Sequence, residues 1–240
     1  QSAPHLFCIH DFSGDIMPYT NLARHLPDSL SLTGIRYHYE KGAQVSIPSL
    51  AAQYIELLRT ASPNGPYHLL GYSIGGTIAF EMARQLAADQ QAVHFLGIVD
   101  TPNYTVHSNI MQHFVRTSVK HVLAWLRTMS LTYKLVFVTH NLKTLLANQG
   151  SLFSLLRAQA QMKRALTAYR PQSYNGRLTL FVAKQRLFQL DDALGWRDLV
   201  TTIDRQEVVG NHISVLNETN AKQMARHLMA ALSAEQNHGK

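Results

Sequence analysis

The chain contains a single cysteine, Cys8, so no disulfide can form within it and a cross-linked framework is excluded as the source of its stability. At 240 residues it has no need of one, because a chain of this size buries roughly 70–75% of the surface it exposes when unfolded. A reducing compartment, the cytoplasm, is the expected location. No run approaches the roughly 18 uninterrupted apolar residues that a membrane-spanning helix needs. The N-terminus lacks the basic, apolar and small-residue sections of a signal peptide, and a protein in aqueous solution is expected. The opening Gln1-Ser2-Ala3-Pro4, without an initiator Met, is the start expected of a domain excised from a longer chain or of a processed one.

Acidic residues are missing from one long stretch. The formal net charge is +7, but residues 101–190 hold 12 Lys and Arg and no Asp or Glu, whereas residues 1–100 carry 5 against 8 and residues 191–240 carry 5 against 7. The positive excess is thus confined to one central segment, a narrower signal than a basic surface spread over the whole chain. Internal repeats and low-complexity tracts are also absent. What remains, 46% hydrophobic and 15% charged residues with 13 Gly and 8 Pro, is the composition of one ordinary globular domain.

Short apolar runs alternate with amphipathic stretches over the first hundred residues, the pattern of strand-helix units stacked into a mostly parallel sheet. The reading predicts strands over 6–9, 30–36, 67–70, 93–99, 178–183 and about 206–209. Helices are expected over 19–26, 50–60, 74–88 and about 217–233, with three long ones over roughly 108–130, 131–147 and 151–169. The simplest architecture is an α/β core, residues 1–102 and 171–240, interrupted by a helical insertion at about 103–170 that coincides with the acid-free segment. An insertion of that length is too structured to be a loop.

The strongest chemical signal is Gly71-Tyr72-Ser73-Ile74-Gly75-Gly76, a G-x-S-x-G motif extended by one Gly. It follows a predicted strand and opens a predicted helix, the setting of a nucleophile elbow. A Ser on so sharp a turn sits in strained backbone, where a Cβ on its neighbours would clash. The alternative is a Gly-rich turn carrying a solvated Ser. Ser Oγ is a poor nucleophile until a base takes its proton, so a His and an orienting acid are needed downstream. Of the 13 His, His212 in Val208-Val209-Gly210-Asn211-His212-Ile213 is the best base, lying between the last apolar run and the last helix. For the acid, Asp100 ends a strand and is followed by Thr101 and Pro102, a position from which it can accept from a His Nδ1–H. The competing Asp191, beyond Lys184-Gln185-Arg186, reads as a helix N-cap. Oxyanion donors are expected from the N–H of Ile74, at the start of the helix, and of Phe12, in the loop His10-Asp11-Phe12-Ser13-Gly14-Asp15 after the first strand. The alternative for that loop is a polar turn with a local His-Asp contact.

These residues carry a resemblance. H-x-x-x-G after the first strand, G-Y-S-x-G-G-x-x-A-F-E-M-A at 71–83, D-T-P at 100–102 and G-N-H at 210–212 resemble the thioesterase domains that end nonribosomal peptide synthetase and polyketide synthase assembly lines, over residues 5 to about 235. The early position of the acid is similar to integrated domains rather than to many stand-alone editing thioesterases. The first loop departs from the H-P-x-G-G of many relatives, with Asp11 and Phe12 in its place. The resemblance implies an α/β-hydrolase fold, a helical lid between Asp100 and the strand at 178, and Ser73, Asp100 and His212 as a triad. It implies a single thioesterase domain over residues 1–240 with no bound cofactor or metal. The substrate arrives on the phosphopantetheine of a carrier-protein domain, and the acyl chain passes to Ser73 for release by hydrolysis or macrocyclisation. Arg116, Lys120, Arg127, Lys134, Lys143 and Lys163 are then expected to steer the acidic carrier, and residues 122–126 to line an acyl channel. Two other functions compete: a stand-alone thioesterase that clears stalled acyl groups, and a basic binding protein using its central helices on nucleic acid or an acidic membrane and keeping G-x-S-x-G as a relic of its fold. The ordered triad argues against the second, so no nucleic-acid partner is expected.

Overall fold

The computed structural model describes residues 4–40, 43–107, 152–186 and 190–238. Six strands form one fully parallel sheet: β1 His5–Ile9, β2 Ser31–Ile35, β3 Tyr67–Tyr72, β4 Val93–Val99, β5 Tyr174–Ala183 and β6 Val200–Val208. Their order is β2-β1-β3-β4-β5-β6. The helices are α1 Pro18–Ala23, α2 Ile47–Ala61, α3 Ile74–Ala88, α4 Leu152–Ala168 and α5 Glu218–His238.

The period of two in the strands divides the core. Phe7 and Ile9 of β1, Leu69 of β3, Leu96 and Ile98 of β4 and Leu178, Leu180 and Val182 of β5 face a layer made by α2, α3 and α4. The intervening residues Leu6, Cys8, Leu70, Tyr72, Phe95, Val99 and Phe181 face a second layer containing α1 and α5. Both faces are therefore covered, which is why the inner strands read as continuous apolar runs. Each fully buried Leu, Ile or Phe contributes roughly 1.5–3 kcal/mol through its removal from water.

Most predicted elements are present, with instructive differences in extent. The strand expected at about 206–209 starts earlier, at Val200, because β6 lies at the sheet edge and its first residues, Val200-Thr201-Thr202-Ile203-Asp204-Arg205, are too polar to form an apolar run. Helix α2 begins at Ile47, with Pro48 inside its first turn and Ser46 as a cap whose hydroxyl accepts from the Ser49 N–H. Helix α1 stops at Ala23, short of the expected 26, and α5 runs on past 233 to His238. Asp191 caps no helix: it closes a turn, its Oδ1 accepting from the Ala193 N–H at 2.8 Å, while its Oδ2 meets His107 Nε2 at 3.0 Å. Helix α4 matches the expectation for 151–169. The two helices expected over 108–130 and 131–147 lie outside the described residues, as do Arg116, Lys120, Arg127, Lys134, Lys143 and the 122–126 stretch.

The strand order reverses between β1 and β3. From β1 the chain runs to the β2 edge and then, through α2, back across to β3 on the other side. The switch point of the sheet thus lies between β1 and β3, the place in an open α/β sheet where ligands bind at the carboxyl ends of the strands.

Candidate functional site

Ser73 stands between the last residue of β3 and the first of α3, with φ 58° and ψ −129°. A non-Gly residue held there costs on the order of 1–3 kcal/mol, so its surroundings must impose it. They do so by close approach. A Cβ on Gly71 would lie 2.2 Å from the Gly75 carbonyl oxygen, and a Cβ on Gly75 would lie 2.4 Å from that of His10. The turn can therefore press against the end of β1 only because both positions are Gly. The Ser73 N–H donates to the Val99 carbonyl at 3.3 Å, and the buried Thr101 hydroxyl donates to the Ser73 carbonyl at 2.7 Å.

Around this elbow the structure brings together three of the expected side chains. His212 Nε2 lies 3.2 Å from Ser73 Oγ, and its Nδ1 lies 2.9 Å from Asp100 Oδ2 and 3.1 Å from the Asp100 carbonyl oxygen. Both oxygens facing Nδ1 belong to acceptors, so the ring's proton sits on Nδ1 and the bare Nε2 of the neutral ring faces the Ser73 hydroxyl. That is the tautomer a base needs. Asp100 follows β4 with φ 45°; its N–H donates to the Phe181 carbonyl at 2.8 Å and its Oδ1 accepts from the Ala183 N–H at 3.0 Å. Anchored to β5 in this way, the carboxylate presents its second oxygen to the imidazole. His212 itself lies in the turn between β6 and α5, where Asn211 Oδ1 accepts from the N–H groups of Ile213 and Ser214.

Ile74 is the first residue of α3, whose opening N–H groups lack partners within the helix and carry a partial positive charge. Phe12 lies in the loop after β1, half-buried against the core. The Asp11 carboxyl accepts from the Ser13 N–H at 2.8 Å, which closes a tight polar turn within this loop. Burial raises the Asp11 carboxyl above the usual carboxylate range, against the bonds from Ser13 and the charge of His212, which lower it.

Three further side chains touch this constellation without having been marked in the sequence. The Tyr72 hydroxyl donates to the His212 carbonyl, and its ring lies 5.2 Å from the imidazole. Thr101 holds the elbow from below, with its own carbonyl accepting from Trp196 Nε1 at 2.7 Å. The Tyr104 hydroxyl is held above its ordinary range by burial and by the charge of Asp100, against an interaction with Ser73 that lowers it. Tyr72 was within the motif, but nothing in the spacing ties it to a carbonyl 140 residues away.

No group of three or more His, Cys, Asp or Glu suited to a metal ion occurs among the described residues, and no described helix is long and apolar enough to cross a membrane. The chain matches the model of the thioesterase domain family over residues 4–232. It belongs to that family. Among curated proteins it is similar to microperfuranone synthase of Emericella nidulans, 28% identical over 95% of this chain and 27% of the relative. It is 27% identical to enterobactin synthase component F of Escherichia coli over 97% of this chain and 18% of that protein. The chain thus spans only about a quarter or less of these relatives. Among solved structures it resembles a four-domain nonribosomal peptide synthetase, with a TM-score of 0.73, 25% identity, and 94% of this chain and 19% of that one covered. The NocB thioesterase domain from the nocardicin cluster shares the fold at a TM-score of 0.72 and 23% identity, over 96% of this chain and 94% of that one. The chain is accordingly a thioesterase domain of the α/β-hydrolase type, related to those of nonribosomal peptide synthetases.

Proposed function

We propose that this thioesterase domain terminates acyl-chain assembly, taking an acyl or peptidyl chain from the phosphopantetheine thioester of a carrier-protein domain onto Ser73 and then releasing it. The observation that carries the reading is the contact series from Ser73 Oγ through the His212 ring to Asp100 Oδ2, at 3.2 and 2.9 Å, with the tautomer a base requires. Ser73 is the nucleophile, His212 the general base and Asp100 the group that orients the ring and stabilises the imidazolium.

In the first half-reaction the Ser73 hydroxyl gives its proton to His212 Nε2 as Oγ bonds to the thioester carbon. The carbonyl oxygen becomes an oxyanion facing the N–H groups of Ile74 and Phe12. The C–S bond then breaks, and the proton passes from His212 to the departing pantetheine sulfur. In the second half-reaction His212 takes a proton from the incoming nucleophile, which attacks the acyl-Ser73 ester, and returns that proton to Ser73 Oγ. Water gives the free acid; a hydroxyl or amine of the same acyl chain gives a ring. No metal or organic cofactor enters these steps.

Asp100 directly after β4 supports an integrated domain over a stand-alone editing enzyme, as does the company of multidomain synthetases among the relatives. The acid-free segment 101–190 supports a lid at about 103–170 whose Lys and Arg attract an acidic carrier, and the whole of residues 1–240 then forms one domain. Steady-state turnover of a simple acyl-pantetheine thioester tests the assignment. Ser73→Ala and His212→Ala are each expected to lower kcat by roughly 10³-fold or more. Turnover of either variant at the rate of the unaltered protein contradicts it.

A further inference from the structure

His10 is the most buried imidazole near the site and takes no part in the chemistry proposed above. It is fully enclosed at the end of β1, and its N–H donates to the Ile35 carbonyl at 3.1 Å. Its Nδ1 lies 2.7 Å from the carbonyl oxygen of Asp11, and its Nε2 lies 2.8 Å from the hydroxyl of Tyr54 on α2. The Asp11 carbonyl can only accept, so Nδ1 carries the hydrogen. In a neutral ring Nε2 must then accept, from the Tyr54 O–H. Burial favours that neutral form and pushes the His10 imidazole down to about 4. The Asp11 carbonyl also accepts from the Gly14 N–H at 3.0 Å, so two donors hold it.

A peptide unit is planar, and in its trans form the C=O of one residue and the N–H of the next point in opposite directions. Fixing the Asp11 carbonyl therefore fixes the Phe12 N–H. We infer that His10 is a positioning residue, which, with Tyr54 behind it, locks the Asp11–Phe12 peptide so that the Phe12 N–H is held ready for the oxyanion. The inference rests on the reading of Phe12 as an oxyanion donor. Its physical content is preorganisation: a donor already aimed costs no reorientation when the charge develops, so its loss falls on the transition state rather than on substrate binding.

The test compares His10→Ala, His10→Asn and Tyr54→Phe with the unaltered protein and with Ser73→Ala. It uses an acyl-pantetheine thioester for kcat and KM, and an alkylboronic acid, which forms a tetrahedral anionic adduct on Ser, for inhibition. His10→Ala is expected to lower kcat about 10- to 100-fold with KM within about twofold, and to weaken the boronic acid by a similar factor. His10→Asn, whose amide nitrogen stands where Nδ1 did, is expected to recover most of the loss. Tyr54→Phe keeps the ring and deletes one hydroxyl, and decides the matter if His10→Ala does not fold: its kcat and boronic acid affinity should fall together. The inference is overturned if kcat falls only with an equal rise in KM while boronic acid inhibition is unchanged. It is equally overturned if both His10→Asn and Tyr54→Phe leave kcat and inhibition at the unaltered values while His10→Ala does too. Turnover that survives in Ser73→Ala instead removes the reading of the whole site, so the two failures are separable.

Discussion

At the scale of single residues, the site works through fixed protonation and fixed backbone. The His212 ring is held in one tautomer by two acceptors on its Nδ1 side, and Ser73 is held at φ 58° by Gly neighbours that let backbone meet backbone. Two other imidazoles have a measurable consequence for stability. Burial pushes His10 down to about 4, and burial followed by the charges of His94 and His5 pushes His68 down to about 4, from an ordinary value of 6.5. Both rings therefore bind protons in the unfolded chain before they do so in the folded one. The stability they allow is fully present above pH 6.5 and is lost as the pH falls through 6.5 towards 4. Urea unfolding at about pH 5.5 should give a free energy lower by about 3 kcal/mol than at about pH 7.5 from these two groups. A stability that is flat or rises over that interval on acidification contradicts the assignment. The residues legible in the sequence were those whose role forces a local pattern: Ser73 between Gly residues, Asp100 at a strand end, His212 in a turn before a helix. Thr101, Tyr72 and Tyr104 were not legible, because a hydroxyl's partner across the fold leaves no trace in its neighbours along the chain.

Helices and strands bring these residues together, and one buried carboxylate ties two of them. Glu81 of α3, 2% exposed at its side chain, accepts from Arg84 Nη2 at 2.7 Å, from Gln85 at 2.8 Å and from the Tyr169 hydroxyl at 2.8 Å. Burial raises its carboxyl, but these three partners outweigh it and hold the group below the usual range. Tyr169 directly follows α4, so this contact fastens the far end of that helix to α3, the helix that Ser73 precedes. Tyr169→Phe deletes one bond to a buried charge and should cost about 1.5–3 kcal/mol, seen as a lower urea midpoint with an unchanged slope. An unchanged midpoint would show that the bond adds nothing. Glu81 was visible in the sequence only as part of a helical motif, since Tyr169, the partner that ties it to α4, lies 88 residues further along the chain. The edge strand β6 was legible only at its apolar end, where Val208 enters the core.

For the whole molecule, alternating strand and helix patterns sufficed to give an α/β core, and the apolar runs of β1, β3 and β4 are what burial on both faces requires. The order of strands was not readable, because pairing is decided by crossovers rather than by any strand's own residues. That order is nevertheless what makes the site: the reversal between β1 and β3 sets the Phe12 loop beside the Ser73 elbow, while β4 and the turn after β6 bring up Asp100 and His212. The central claim is that Ser73 carries the acyl chain covalently. Its most direct test is the intact mass of the protein and of Ser73→Ala after brief mixing with an acyl-pantetheine thioester. The account predicts an added mass equal to the acyl group on the unaltered protein and none on the variant, with free pantetheine released only by the former. Release of pantetheine and product at equal rates from both proteins, with no adduct on either, would contradict it.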